Sequence, residues 1–456
     1  MNDSDILFDI ASFAIKRAKS AGMDGSFVNA GLNHVISTRF ANSAIHQNFT
    51  DSETNIEITV IKGLKKASAS TNLLEKSSVS WAVDQASKII KHLPDDPEFP
   101  GVLTEPQTYP QLRLNDPKAK NITASDVSDL IISGINAGHE YSKKVQTVSG
   151  NLNFKDGFTL FLSSEDHEYT APTTEISSTI NIMADDGTAE SRSNSNFGER
   201  KFSKLPFESE AIEVAKRSVM GLNSTEIESK EYPVILDYQA AADQIFWLGY
   251  SFSAKMILEQ RSFLRDKVGE QIFDDSMTMI NDPLDPSSLT ARALDMEGVA
   301  SQKFTLIDQG VVRNFAHSRL TAHKMGTKSN GCGFIFYGET FPIPFALKIQ
   351  PGVRKRQKLI EETDYGLLVT NLHYTNFIDS PRGTITGMTK DGVFIVKNGE
   401  IIGAAKNMRF TDSVPKMFST VELSEEMLQV LTLFGIGFSV PAMKIDSMMF
   451  SSKTTH

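Results

Sequence analysis

A zinc peptidase helix needs two histidines about one turn apart and a glutamate beside them, so that the rings hold the cation and the carboxylate activates its water. The nine histidines of this chain are His34, His46, His92, His139, His167, His317, His323, His373 and His456, and no two stand four or five residues apart. His317 and His323 are the nearest pair, and their six-residue separation turns them away from each other on a helix. They read as ordinary core or surface imidazoles, and no zinc site is expected within one chain. The only thiol is Cys332, between Gly331 and Gly333. Flanking glycines leave it room to react and His323 is near in sequence, but nothing beside it marks a lowered pKa, so an incidental cysteine stands against a nucleophile. Asp295 and Glu297 precede Gly298. On a strand they would share a face and bind a cation or position a peptide amine; at a glycine turn they would be two solvated carboxylates. The sequence has no Gly-x-Ser-x-Gly elbow, phosphate loop or Gly-x-Gly-x-x-Gly fingerprint.

The stretch best suited to carry ligands or a nucleophile is 234–272, a short apolar strand feeding a long segment of helical spacing. Ile245, Leu248 and Phe252 fall at i, i+3 and i+7, and Met256 and Ile257 prolong the stripe. Phe246, Trp247, Tyr250 and Phe252 stand where catalytic groups would be sought.

Before this stretch the pattern alternates helices and strands. Helices are expected over 3–21, 75–92, 125–144 and 208–221. Strands are expected over 25–30, 34–40, 54–61, 66–71, 145–153, 157–164 and 169–184, with Lys155, Asp156 and Gly157 as a hairpin turn. The proline-rich residues 94–120 form a loop. After Gly269 short apolar runs alternate with glycine, proline and Asn-Asp punctuation. Asn398-Gly399 makes a hairpin, and short helices are expected over 318–325 and 424–432. The fold class is α+β: a mixed α/β domain over 1–229, then a β-rich domain over 230–456, barrel- or sandwich-like.

The composition, 40% hydrophobic and 22% charged, is that of a folded globular protein. A formal net charge of −10 argues against nucleic-acid binding. The densest basic run, 354–358, reads as a solvated face. One cysteine excludes an internal disulfide. The first residues form an amphipathic helix and not a signal peptide, and no apolar run approaches the ~20 residues that span a bilayer. A cytoplasmic location without membrane contact is expected.

The order of segments then carries a resemblance. Arg39-Phe40-Ala41-Asn42-Ser43-Ala44-Ile45-His46-Gln47, the strand ending Ile61-Lys62-Gly63, and Lys66-Ala67-Ser68-Ala69-Ser70-Thr71-Asn72 before a helix resemble the TldD/PmbA (TldE) family. So do 263–272, Leu294-Asp295-Met296-Glu297-Gly298, 305–312 and 407–414. The family is known for two-domain subunits that dimerise, and an older label for it is modulator of DNA gyrase. The TldD partner binds zinc through a His-Glu-x-x-x-His helix and a late cysteine and cleaves unfolded peptides; the PmbA/TldE partner lacks those ligands. Carried over by position, the three helix ligands fall on Ile245, Phe246 and Tyr250, and the cysteine near Phe434 and Gly435. The resemblance therefore implies a metal-free subunit, with zinc in a TldD-like partner and an unfolded peptide as substrate. Trp247, Tyr250, Asp295 and Glu297 are the expected peptide contacts. The alternatives are a homodimeric peptide-binding or regulatory protein, a hydrolase using Cys332, and a gyrase modulator.

Overall fold

The computed structural model describes residues 3–336, 339–432 and 436–453, without the side chains of residues 452 and 453. The first half runs α1 (Asp3–Ser20), β1 (Gly25–Ala41), β2 (Ala44–Lys62), β3 (Lys65–Thr71), α2 (Lys76–His92), α3 (Ala124–Tyr141), β4 (Val145–Ser163), β5 (Glu168–Asp185), β6 (Glu190–Glu199) and α4 (Phe207–Met220). Helix α1 buries Leu7, Ile10, Ala11, Ala14 and Ala18 at helical spacing. Two of the expected strand runs are one strand: β1 pairs with β2 and β4 straight through Gly31, Leu32 and Asn33. The hairpin expected at Lys155-Asp156-Gly157 does not form. These residues lie inside β4, with Gly157 opposite Asn33. A β carbon on Gly157 would come within 2.0 Å of the Leu32 carbonyl oxygen, so this glycine serves close strand approach and not a turn.

The second half opens with β7 (Glu231–Leu236), α5 (Tyr238–Ser251) and α6 (Ala254–Leu258). It continues through β8 (Met279–Asn281), β9 (Phe304–Asp308), β10 (Val311–Val312), α7 (Arg319–Lys324), β11 (Gly333–Phe336), β12 (Glu339–Pro342), β13 (Leu347–Ile349) and α8 (Arg356–Glu361). A run of strands closes it: β14 (Tyr365–Val369), β15 (Leu372–Asp379), β16 (Thr384–Thr389), β17 (Val393–Lys397), β18 (Glu400–Ala405), β19 (Met408–Ser413), β20 (Val421–Leu431) and β21 (Gly437–Lys453). Asn398 and Gly399 are both left-handed between β17 and β18, as an Asn-Gly hairpin requires. No helix forms over 424–432: residues 424–431 lie in β20, which pairs with β21 from Val421 opposite Ile445 to Leu431 opposite Gly437. A register shift between Leu423 and Met427 breaks the two-residue alternation there, and the resulting four-residue spacing imitates a helix.

Strand β7 sits between β14, which runs parallel to it, and β21, which runs antiparallel. The far end of β21 pairs with β19, which continues into β16 and β15. Among the described residues these two groups share β21 and no strand pairing closes them into a ring. The architecture is α+β. The large core of this half gathers Ala241, Ile245 and Leu248 of α5, and Phe252 just after it, with Leu236, Met279, Leu306, Met443 and Ile445. Separate clusters lie under α1 and α2 and under α3 and α4. No helix among the described residues is long and apolar enough to cross a membrane.

Candidate functional site

Helix α5 is started by Asp237, whose carboxylate accepts the Tyr238 N–H at 3.1 Å, and the alanines at 240–242 sustain it. The same carboxylate accepts Nε of Arg356 at 2.8 Å and Nη2 at 2.7 Å, a two-pronged pair joining α5 to α8. Burial would raise the Asp237 pKa, but the Arg356 charge beside it outweighs this and holds the carboxyl below its usual range. The basic run is therefore not simply a solvated face. Arg354 pairs with Glu362 and Glu422, and Arg356 locks the helix start.

The single long stripe expected over 245–257 is broken. Helix α5 stops at Phe252, which is fully buried, and α6 starts anew after Ser253. Ile245 points into the core with no exposure, whereas Phe246 and Tyr250, one turn apart, line a cavity of about 770 Å3. Its other wall is the hairpin of β11 and β12. Phe334 stands opposite Phe341 in the register, and Phe336 follows two residues after Phe334, so all three rings share one face. Ile335 and Thr340 are buried on the reverse face. The Phe334 ring meets Phe345 edge-on with centroids 4.8 Å apart, and Lys255 Nζ lies 4.0 Å from the Phe341 centroid. Trp247 lies outside this cavity. It borders a second one of about 510 Å3 with Phe246, Tyr250 and Phe377, its indole 5.6 Å from the Phe377 ring. Phe246 and Tyr250 thus stand between two cavities.

Asp295 and Glu297 are neither on a strand nor solvated. They are 2% and 7% exposed, in a turn closed by a bridge between Leu294 and Ala300. Asp295 accepts N–H groups from Glu297 and Val299, each at 2.9 Å, on one oxygen, and from Gly333 at 2.8 Å on the other. Glu297 accepts the Arg319 N–H at the start of α7, at 2.8 Å. Neither lines the aromatic cavity; Asp295 holds the base of β11 through Gly333, and Glu297 holds the start of α7 through Arg319. Burial, with Glu297 next to it, pushes the Asp295 carboxyl above the usual carboxylate range.

The glycines around Cys332 do not give access to it. A β carbon on Gly333 would lie 2.5 Å from a Glu297 carboxylate oxygen, and one on Gly331 would lie 2.7 Å from the Ala300 carbonyl oxygen. Both glycines permit close packing, and Cys332 itself is fully buried. Burial pushes its thiol up to about 12, and His323 stands exposed on α7. A thiol so protonated and enclosed is inert. Native protein is expected to resist iodoacetamide at neutral pH and to take up one alkyl group once unfolded, as read by intact mass; rapid native labelling would contradict this geometry.

Zinc requires imidazole, thiolate or carboxylate donors, and the aliphatic Ile245, the aromatic Phe246 and the single phenol of Tyr250 do not fit it. Among the described residues no three His, Cys, Asp or Glu side chains converge as a metal site. Phe434 lies outside the described residues. The carboxylate that α5 does carry near these cavities is Asp243, which has no spacing partner in the sequence to mark it. It lines a small polar cavity with Trp247 and His373, and burial pushes it up to about 6.

The profile of the PmbA/TldA metallopeptidase C-terminal domain matches residues 229–452, and that of PmbA/TldA metallopeptidase domain 1 matches residues 33–90. The chain belongs to the TldD/PmbA family. A metalloprotease PmbA homolog of Haemophilus influenzae is 24% identical over 86% of this chain and 84% of its own length. A metalloprotease of Methanocaldococcus jannaschii is 23% identical over 58% of this chain. The match spans 62% and 59% of the lengths of two relatives from that organism. The crystal structure of TldE from Thermococcus kodakarensis has the same fold, with a TM-score of 0.87 at 21% identity, over 97% of this chain and 100% of that one.

Proposed function

We propose that this chain is a cytosolic, PmbA/TldE-like subunit of a TldD/TldE-type metallopeptidase complex. It completes a chamber for unfolded peptide while a TldD-like partner supplies the zinc. The observation that carries this reading is the character of α5: Ile245 is absorbed into the core, and Phe246 and Tyr250 present aromatic surface to a cavity where metal ligands would be needed. Support also comes from the hairpin of β11 and β12, a two-stranded sheet that pairs with no other described strand. An extended peptide adds to such an edge through its backbone, with little regard to sequence, while its side chains enter neighbouring pockets. The acidic net charge favours neither DNA nor a gyrase-bound complex as partner.

A homodimeric peptide-binding protein without a peptidase partner is the second reading, favoured by the presence of the whole aromatic cavity within one chain. Mixing separates the two. The purified chain, a TldD-like subunit with intact ligands, and the mixture are each assayed for chelator-sensitive cleavage of an unfolded peptide and for co-elution on size exclusion. The proposal expects co-elution and faster cleavage in the mixture than in either subunit alone. Separate elution with unchanged cleavage favours the homodimer.

A further inference from the structure

Among the described residues that line the aromatic cavity, one is charged, Arg292. Its guanidinium carbon lies 5.2 Å from the Phe345 ring centroid, stacked on the cavity wall. No ion pair joins it to a carboxylate among the described residues, and its Nε is buried without a hydrogen-bond partner. The groups that act on it through space are the Cys332 thiol, which burial keeps protonated, and Asp295, whose oxygens already accept three backbone N–H groups. A half-buried arginine whose donors no protein anion satisfies, set into a wall of phenylalanines, is under-neutralised where solvation is weak. Guanidinium matches carboxylate in a planar, two-bond geometry.

The ligand must therefore place a carboxylate and a large apolar group within a few ångströms of each other. In a peptide that combination sits on one α carbon only at the C-terminal residue. An internal Asp or Glu brings the charge without the apolar mass, and an internal Phe or Leu brings the mass without the charge. We propose that this cavity captures the C-terminus of a peptide ending in a large apolar residue, its side chain among Phe246, Phe334, Phe341 and Phe345 and its terminal carboxylate on Arg292. The inference rests on the peptide-binding reading and deepens it: this subunit would choose among peptide ends and so set which chains enter the chamber.

The test uses the full chain and three fluorescein-labelled hexapeptides of one sequence: a C-terminal Phe acid, the same peptide as its C-terminal amide, and a C-terminal Ser acid. Binding is followed by anisotropy. The Phe acid is expected to bind about 10- to 100-fold more tightly than the amide, the range a charge-assisted pair confers, and more tightly than the Ser acid. In Arg292→Met the acid and amide should become equal, and Arg292→Lys should keep part of the preference. Near-ultraviolet circular dichroism checks that both variants are folded. Equal binding of acid and amide by the unmodified chain overturns the C-terminal assignment and leaves the peptide-binding reading standing. A preference that survives in folded Arg292→Met overturns the role of Arg292. If no peptide binds at all, the peptide-binding reading fails and this inference with it.

Discussion

Arg356→Ala is expected to lower the stability of the chain by about 3–5 kcal/mol, the usual result of leaving one member of a buried ion pair without the other. Asp237 is 7% exposed, caps α5 and receives two bonds from Arg356. Without the guanidinium its charge would face the core and the helix start would have to move or take up a proton. The pH dependence follows from the same pair. With Arg356 present, the folded-state pKa of Asp237 is depressed, so its contribution is complete above the ordinary aspartate range and is lost as pH falls through the folded value. In Arg356→Ala mainly the effect of burial remains, the folded value rises, and protonation relieves the buried charge. The deficit of the variant should therefore be largest at neutral pH and shrink below about pH 4. Urea titrations of both proteins between acid and neutral pH measure it. A double replacement, Asp237→Asn with Arg356→Met, should recover part of the loss, since it removes both charges.

The second large effect concerns binding. Phe334→Ala with Phe341→Ala removes the facing rings of the hairpin, both half-buried and both lining the aromatic cavity. Aromatic anchors of this kind carry on the order of 1–2 kcal/mol each on truncation, so peptide affinity should fall about 30- to 700-fold. Because the rings face the cavity, thermal stability should change less than in Ile335→Ala, which empties a buried site on the reverse face of the same strand. Anisotropy with an unfolded peptide and a melting curve separate the two. Unchanged affinity in a folded double variant would remove the aromatic cavity from the peptide path.

Much of the scaffold could be read from residue pattern because local signals agreed with tertiary demands. Asn398-Gly399 forms the turn its backbone preferences require, and Ile56, Ile58 and Val60 alternate into the core as a half-buried strand should. The misreadings share a cause: non-local contact overrode a local signal. Gly157 looks like a turn and is a point of strand contact, and residues 424–431 look helical because an irregularity in β20 mimics that spacing. At the site, the aromatic character of α5 was visible in Phe246, Trp247 and Tyr250, but which rings share a cavity depends on the hairpin some ninety residues later. The spacing of Asp295 and Glu297 marks them as a pair, but their burial comes from contacts distant in sequence. Nothing in Leu294-Asp295-Met296-Glu297-Gly298 says that Gly333 and Arg319 will close over it. Arg292 and the Asp237–Arg356 pair left no sequence signal, because their partners are brought together only by the fold.

The metal content of this chain, expressed and purified without any partner, tests the central claim most directly. Elemental analysis after dialysis against zinc and then metal-free buffer is expected to find far less than one zinc per chain, with no cleavage of unfolded peptide. One tightly held zinc per chain, with cleavage that a chelator abolishes and zinc restores, would contradict the reading of α5 as a helix that has given its site over to aromatic packing.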